Sequence, residues 1–471
     1  MTARFADFVE RDSRNHGMNL RFSFSPYPLL DMPRTAFHRY VNGRDPVTDK
    51  PLMQEVVEAL TKPLTDQERS PLAVRPTQRM RLLPRDTEEN LLRLFVETGW
   101  TDGLPIVLPT EERVAEMLTG TSHDPKEVVG RMSVTPHQEK FEYTVEKVAV
   151  NAVMAGAGPE HLPVILAIAS TQECSMPTSS GFGRMLLVNG PIRNEIGMNS
   201  GVAALSPFNL ANAVIGRAWT LMTINFGNAR LGETFLASTG HNANYNNMCC
   251  AENEEKSVWD PFHVQKGFEL EDSVVSLFRG FNVLNFCLGP AKEMARVLKV
   301  FPNMGFTATF VMDPLVAKFL KAQGFTTKQD LSQWLADNVK VSVGQYWESG
   351  IGLGYAAPLA QEGVEPFASW LKQPKNEQIT PYDPNDINFV VVGGENTPLW
   401  LTTDFTYTQS ASVDKWRPTG GIYRDARPLR MPVAVACSDG SCGLPSKAEC
   451  LEASVLRTHA DFEGSASRKE L

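Results

Sequence analysis

A chain of 471 residues, 42% hydrophobic and 21% charged, can bury a large core and has the balance of a globular protein, which excludes a disordered one. The net charge of −9, with no long block of Lys or Arg, excludes a surface built to track phosphates, so nucleic acid is not an expected partner. No run of about 18 apolar residues occurs and Met1 to Phe22 has no signal-peptide core, so the expectation is a cytoplasmic protein that makes no membrane contact.

In chain order, residues 1–95 lack sustained periodicity and carry many prolines and arginines, among them Pro26, Pro28, Pro33, Arg75, Arg79 and Arg81. One helical stretch stands out near Leu52 to Leu60. The segment reads as an irregular arm that wraps a core or a partner subunit, and it points to a homo-oligomer. A helix is expected from Thr87, with a glutamate of the first turn closing a capping box. A short strand follows at Ile106 to Leu108, then a helix opened by Pro109-Thr110-Glu111-Glu112 and running to Leu118. Thr144 to Ala155 has helical spacing, and the apolar run Val164 to Ala169 fits either a strand or a buried helix.

Met185 to Val188 reads as a strand ended by Asn189-Gly190-Pro191. The small-residue loop Gly197 to Gly201 and a long helix from Asn209 to Asn225 follow. Asn282 to Leu288 and Thr307 to Met312 read as strands, the second leading through Asp313-Pro314 into a helix that stops at Gly324, with another helix over Thr327 to Val339. Asp386 to Val392 is a clean buried strand closed by Gly393-Gly394-Glu395-Asn396. The pattern predicts an α/β fold, a layered mixed sheet flanked by helices with an irregular N-terminal arm. Its expected units are the arm (1–95), a first α/β unit (96–300), a second (301–430) and a tail (431–471).

Seven cysteines, Cys174, Cys249, Cys250, Cys287, Cys437, Cys442 and Cys450, are odd in number and thinly spread. They are expected to be free thiols rather than a disulfide framework, with Cys287 a small buried hydrophobe.

The densest chemistry lies between His241 and His263, in HNANYNNMCCAENEEKSVWDPFH. If this stretch is extended, Cys250, Glu252 and Glu254 share a face and Cys249 points away; if it is helical, Cys250 and Glu254 fall together. Either geometry brings a thiol near a carboxylate. That pairing suits a nucleophilic or redox thiol, Cys249 or Cys250, with Glu252 or Glu254 as acid/base and His241 or His263 tuning or relaying protons. Asn189, Asn199, Arg217, Tyr245 and Asn253 are the candidates to orient a substrate. Two rival expectations use the same stretch. In one, His241, Cys249, Cys250, Glu252, Glu254 and His263 serve a metal-dependent lyase or hydrolase, although no metal-ligand spacing is present and no metal residue is assigned. In the other, the chain is a non-catalytic structural subunit whose N-terminal arm drives assembly while the central cluster only seals an interface; the plainest reading of the stretch itself is a helix N-terminus served by Glu254 and Glu255, with the cysteines merely packed.

Weaker signals surround this stretch. The Gly197 to Gly201 loop with Arg193 or Arg217 could hold a carboxylate or phosphate. Asp102 and the Gly393 to Asn396 turn could line a cleft at strand ends. Cys437 and Cys442, five residues apart across a turn, could form a redox pair.

The strings Thr101 to Val107, Pro109 to Val114, Asn151 to Gly156, Val188 to Pro191, Asn199 to Gly201, Ala213 to Ala218 and Ala251 to Glu255 resemble a bacterial family grouped with the UGSC-type (seleno)proteins. The resemblance spans roughly residues 95 to 400 as a pattern judgement. The family has no settled reaction, so the resemblance implies no cofactor and no substrate. Its naming motif, selenocysteine or cysteine followed by Gly-Ser-Cys, meets Asp439-Gly440-Ser441-Cys442 here. With Asp439 at the leading position, Cys437 would have to replace the redox residue. The functional expectation is therefore an enzyme acting on a small polar or carboxylated molecule through a cysteine and a carboxylate, as a lyase, hydrolase or thiol-dependent transferase, with its cofactor unknown.

Overall fold

The computed structural model describes residues 2–420 apart from 16, 28–33, 71–80, 136–139, 178, 180, 288, 301–304 and 350–351. Cys437, Cys442, Cys450 and the Asp439 to Cys442 motif lie outside the described residues.

The arm is more helical than its sequence suggests, with α1 (Ala6–Asn15), α2 (Arg34–Asn42), α3 (Leu52–Thr61) and α4 (Asp66–Arg69). Polar fastenings shape it. The Arg21 guanidinium donates to the Glu68 carboxylate at 2.7 Å and to the carbonyls of Lys62 and Pro63, while the Asp45 carboxylate accepts from the backbone N–H of Phe24, Val47 and Thr48. Thr65 and Glu68 close a reciprocal capping box on α4.

The body begins with α5 (Glu88–Glu97), α6 (Glu111–Met117), the hairpin β1 (Val128–Met132) and β2 (Phe141–Thr144), then α7 (Val145–Ala155) and α8 (Leu162–Ser170). Next come β3 (Gly183–Asn189), α9 (Ile192–Glu195), α10 (Leu210–Asn225), β4 (Cys250–Ala251), α11 (Phe262–Gln265), β5 (Val274–Gly280) and β6 (Val283–Cys287). The remainder includes α12 (Ala291–Val300), β7 (Ala308–Met312), α13 (Pro314–Ala322), α14 (Lys328–Asn338), the short pair β8 (Val341–Ser342) and β9 (Gln378–Ile379), and β10 (Ile387–Val391), β11 (Trp400–Thr403) and β12 (Thr406–Ser412).

Two four-stranded mixed sheets organise the body. The first runs β12-β5-β3-β4, with β5 antiparallel to β12 and β3 and β4 parallel to β3. The second runs β10-β7-β11-β6, with β10 parallel to β7 and β11 antiparallel to both its neighbours. Strand alternation assigns the layers. Leu186 and Val188 of β3 pack with α7, α8 and α10, whereas Met185 and Leu187 face Val311 of β7 and Val390 of β10. On the far side of the second sheet, Phe310, Met312, Phe389 and Val391 pack with α12, α13 and α14. The order is helices, sheet, sheet, helices, an α/β layered fold.

Some expected elements change. Ile106 to Leu108 is not a strand: Val107 makes one backbone bond, to the Met154 carbonyl at 3.3 Å, and flanking prolines deny it a ladder. Val164 to Ala169 lies in helix α8, opened by Pro163 in its first turn and buried all round. Thr87 does cap α5, accepting from the Asn90 N–H at 3.3 Å. The third helical position is Asn90, whose side chain goes to Asp86, so no glutamate closes the box. Among the described residues no helix is long and apolar enough to cross a membrane.

Candidate active site

The His241 to His263 stretch threads the seam where the two sheets meet. It enters at β4, continues extended so that the Glu252 N–H donates to the Val188 carbonyl of β3 at 3.2 Å, and then crosses to the second sheet, where the Asn253 N–H donates to the Val391 carbonyl of β10 at 2.8 Å. Extended geometry gives the alternation its sequence allows. Cys249 and Ala251 face the helix layer, and Cys250 faces the space between the sheets.

Glu252 is wholly buried and its carboxylate is saturated. One oxygen accepts from Asn189 Nδ2 and the Phe262 N–H, both at 2.7 Å; the other accepts from Lys328 Nζ at 2.8 Å and, more distantly, from the Val391 N–H at 3.4 Å. These donors come from the end of β3, the start of α11, the start of α14 and the end of β10. The Lys328 to Glu252 ion pair is almost completely excluded from solvent. Such a pair is costly to desolvate and tolerable only when its remaining lone pairs are bonded, as they are here.

Glu254 closes the end of β3, accepting from Asn189 Nδ2 at 2.9 Å, the Gly190 N–H at 2.8 Å and the Arg193 guanidinium at 2.9 Å. Gly190 is required there: its φ is +82° and a Cβ would stand 2.0 Å from the Asp272 carbonyl oxygen. Arg193 also grips Glu255 in a two-pronged contact, and that hydrogen bonding holds the Glu255 carboxyl down at about 2.

The thiols sit in the opposite electrostatic environment. Burial, and then the charge of Glu252, push Cys250 up to about 12. Burial, and then Cys250, push Cys249 well above its ordinary value. A thiol needs thiolate character and access to act as a nucleophile, and this environment supplies neither. Cys174 is likewise buried and pushed up to about 12.

The histidines also serve the backbone. His241 accepts from the Ala243 N–H through Nδ1 at 3.0 Å and reaches the Phe281 carbonyl through Nε2 at 3.2 Å, capping a single turn. His263 is buried with Nε2 on the Leu270 carbonyl at 3.3 Å. Its Nδ1, together with Asn189 Oδ1 and Arg193 Nε, finds no hydrogen-bond partner among the described residues.

Most of the expected substrate-orienting residues bond to the chain itself. Asn189 bridges Glu252 and Glu254. Asn253 donates to the Gly393 carbonyl at 2.8 Å. Asn199 shapes its own loop, donating to Val202 O and Asn209 Oδ1 and accepting from the Gly201 N–H. Tyr245 is 60% exposed. Arg217 holds Asp102 in a bidentate pair at 2.8 and 2.9 Å and also donates to the carbonyls of Leu104 and Pro105. Arg193 and Arg217, expected beside the Gly197 to Gly201 loop as anion holders, are thus both engaged by carboxylates of the chain itself. Asp102, expected to line a cleft, anchors its turn to α10 through Arg217. Among the described residues no group of three or more His, Cys, Asp or Glu side chains is placed to hold a metal ion.

The residue that sequence reasoning missed is Lys328. A lysine in the first turn of a helix opposes the helix dipole, and Lys328 directly follows the capping Thr327. That local mismatch was its one signal.

No family model, curated protein or solved structure matches the chain.

Proposed function

We propose that this chain is a cytoplasmic structural subunit of a homo-oligomer, and that its His241 to His263 stretch fastens the two sheets instead of turning over a substrate. One observation carries this: the Glu252 carboxylate holds donors from four separate elements while the adjacent thiols are sealed and protonated. A carboxylate working as acid or base needs a lone pair free for the substrate's proton; on Glu252 three positions are firmly engaged and the fourth faces the Val391 N–H at 3.4 Å. The test is alkylation of the native protein with iodoacetamide near neutral pH, read by peptide mapping. Cys249 and Cys250 are expected to stay unmodified until the protein unfolds; rapid, stoichiometric modification of Cys250 in the native state would restore the thiol mechanism and sink this reading.

A second reading has one observation in its favour. The C-terminal ends of the parallel pairs β3/β4 and β7/β10 are joined, the Gly393 N–H donating to the Ser200 carbonyl at 2.9 Å and Asn253 reaching Gly393. Strand ends of this kind are where α/β proteins bind small molecules. On that reading the chain is an enzyme for a small polar or carboxylated substrate met by the 199–201 loop and the Gly393 to Asn396 turn, with Cys249 and Cys250 behind it in the core. A rise in melting temperature with millimolar small carboxylates, abolished by Gly394→Val, supports it; no shift with any of them counts against it.

A further inference from the structure

The arm displays an apolar face that no described residue covers. Helix α3 has two apolar stripes. Leu52 is buried and Val56 and Ala59 are half-buried, but Met53, Val57 and Leu60, continued by Leu64 just past the helix, are exposed, Leu60 to 81%. Neighbouring α2, which packs on α3, exposes Phe37 and Val41 one turn apart. Across the described residues of 2–70, ten large apolar side chains are exposed against four buried hydrophobic ones, Ala6, Phe24, Ala36 and Leu52. That is the reverse of a self-sufficient fold, and an apolar surface so concentrated marks an interaction site.

Spacing and charge say what covers it. Residues 53, 57 and 60 of α3 are spaced by four and then three, the d-a-d rhythm of a helix pairing seam, and Leu64 follows just past the helix end. The positions that flank such a seam within α3 are Gln54, Val56 and Thr61, none of them charged, so a second copy of the same helix meets no repulsion there. The wider charge distribution agrees. Residues 1–70 hold ten Lys/Arg and ten Asp/Glu, which leaves the whole net charge of −9 on the rest of the chain. Two bodies repel each other, whereas two copies of residues 1–70 carry no net repulsion.

We propose that the Met53, Val57 and Leu60 face of α3, with Leu64 just past its end, pairs with the same surface of a second copy about a two-fold axis, making the chain a dimer through its arms. The proposal rests on the structural-subunit reading and names the surface it uses. Four side chains alone fall short of the roughly 800 Å² per partner that a stable dimer buries, and the proposed contact extends to Phe37 and Val41 of α2, which packs on α3. An isologous contact of this kind closes on itself and leaves no free copy of the face.

Sedimentation velocity on the full chain at micromolar concentration tests it. The expected mass is twice 52.1 kDa, falling to one chain in the Val57→Glu/Leu60→Glu double variant. Both changes are at exposed positions, so far-UV circular dichroism and thermal melting of the body are expected to be unchanged. Under mild oxidation, Leu60→Cys chains alone cross-link if the helices run parallel, and a mixture of Val57→Cys and Leu60→Cys chains cross-links if they run antiparallel. A wild-type monomer overturns both this proposal and the structural-subunit reading. A wild-type oligomer that the double variant leaves intact, or cross-linking in neither arrangement, overturns the seam alone and leaves that reading standing.

Discussion

Replacing Lys328 by methionine removes the ammonium from the buried pair while roughly keeping the volume of its aliphatic stem. Glu252 then keeps Asn189 Nδ2 and the Phe262 N–H at 2.7 Å and the longer Val391 contact, but no positive charge. Stranding one charge of a buried pair costs about 3–5 kcal/mol, a large share of the roughly 5–15 kcal/mol that holds a typical domain together. Adding Glu252→Gln to Lys328→Met removes the stranded charge, so the double variant is expected to be more stable than the sum of the two single losses implies, with a coupling of about 2 kcal/mol. Urea denaturation followed by tryptophan fluorescence on the wild type, both single variants and the double variant gives the cycle. If Lys328→Met costs less than about 1 kcal/mol, the pair is not isolated from water and the fastening argument fails.

Other consequences follow from the same geometry. Gly190→Ala combines a left-handed backbone with a Cβ that would meet the Asp272 carbonyl at 2.0 Å, so it is expected to lose roughly 2–5 kcal/mol, measured as a fall in urea midpoint; a midpoint equal to wild type would contradict the close approach. Glu255 is held from an ordinary 4.5 down to about 2, chiefly by its hydrogen bond from Arg193. A depressed carboxyl stabilises the fold at pH above its ordinary value and loses that contribution as pH falls toward 2. Glu255→Gln is therefore expected to weaken the protein at neutral pH and to flatten the acid side of its stability profile, and an unchanged acid slope would refute the pairing.

Much of the fold was legible because its signals are local. The turn Asn189-Gly190-Pro191 ends β3 where the sequence says a strand ends, and Asp313-Pro314 opens α13 through a capping side chain. The layer order was not legible. β5 lies between β12 and β3, far from both in sequence order, and nothing local says that Met185 and Leu187 face a second sheet instead of helices. Within the candidate site, the alternation of Cys249 and Cys250 could be anticipated from strand geometry. The meaning of Glu252 could not, because Lys328 and Val391 lie 76 and 139 residues further along the chain. A crowd of reactive residue types in sequence does not say which groups they bond; here the bonded groups are the backbone and side chains of the same fold.

Hydrogen exchange across the seam tests the fastening most directly. The N–H groups of Glu252, Asn253 and Phe262 are bonded to Val188, Val391 and the Glu252 carboxylate, so the peptides that carry them are expected to exchange only with global unfolding, among the slowest of the chain. In Lys328→Met the same peptides are expected to exchange faster, together with the first turn of α14. Exchange of this stretch within minutes in the native wild type, as in an exposed loop, would contradict the account.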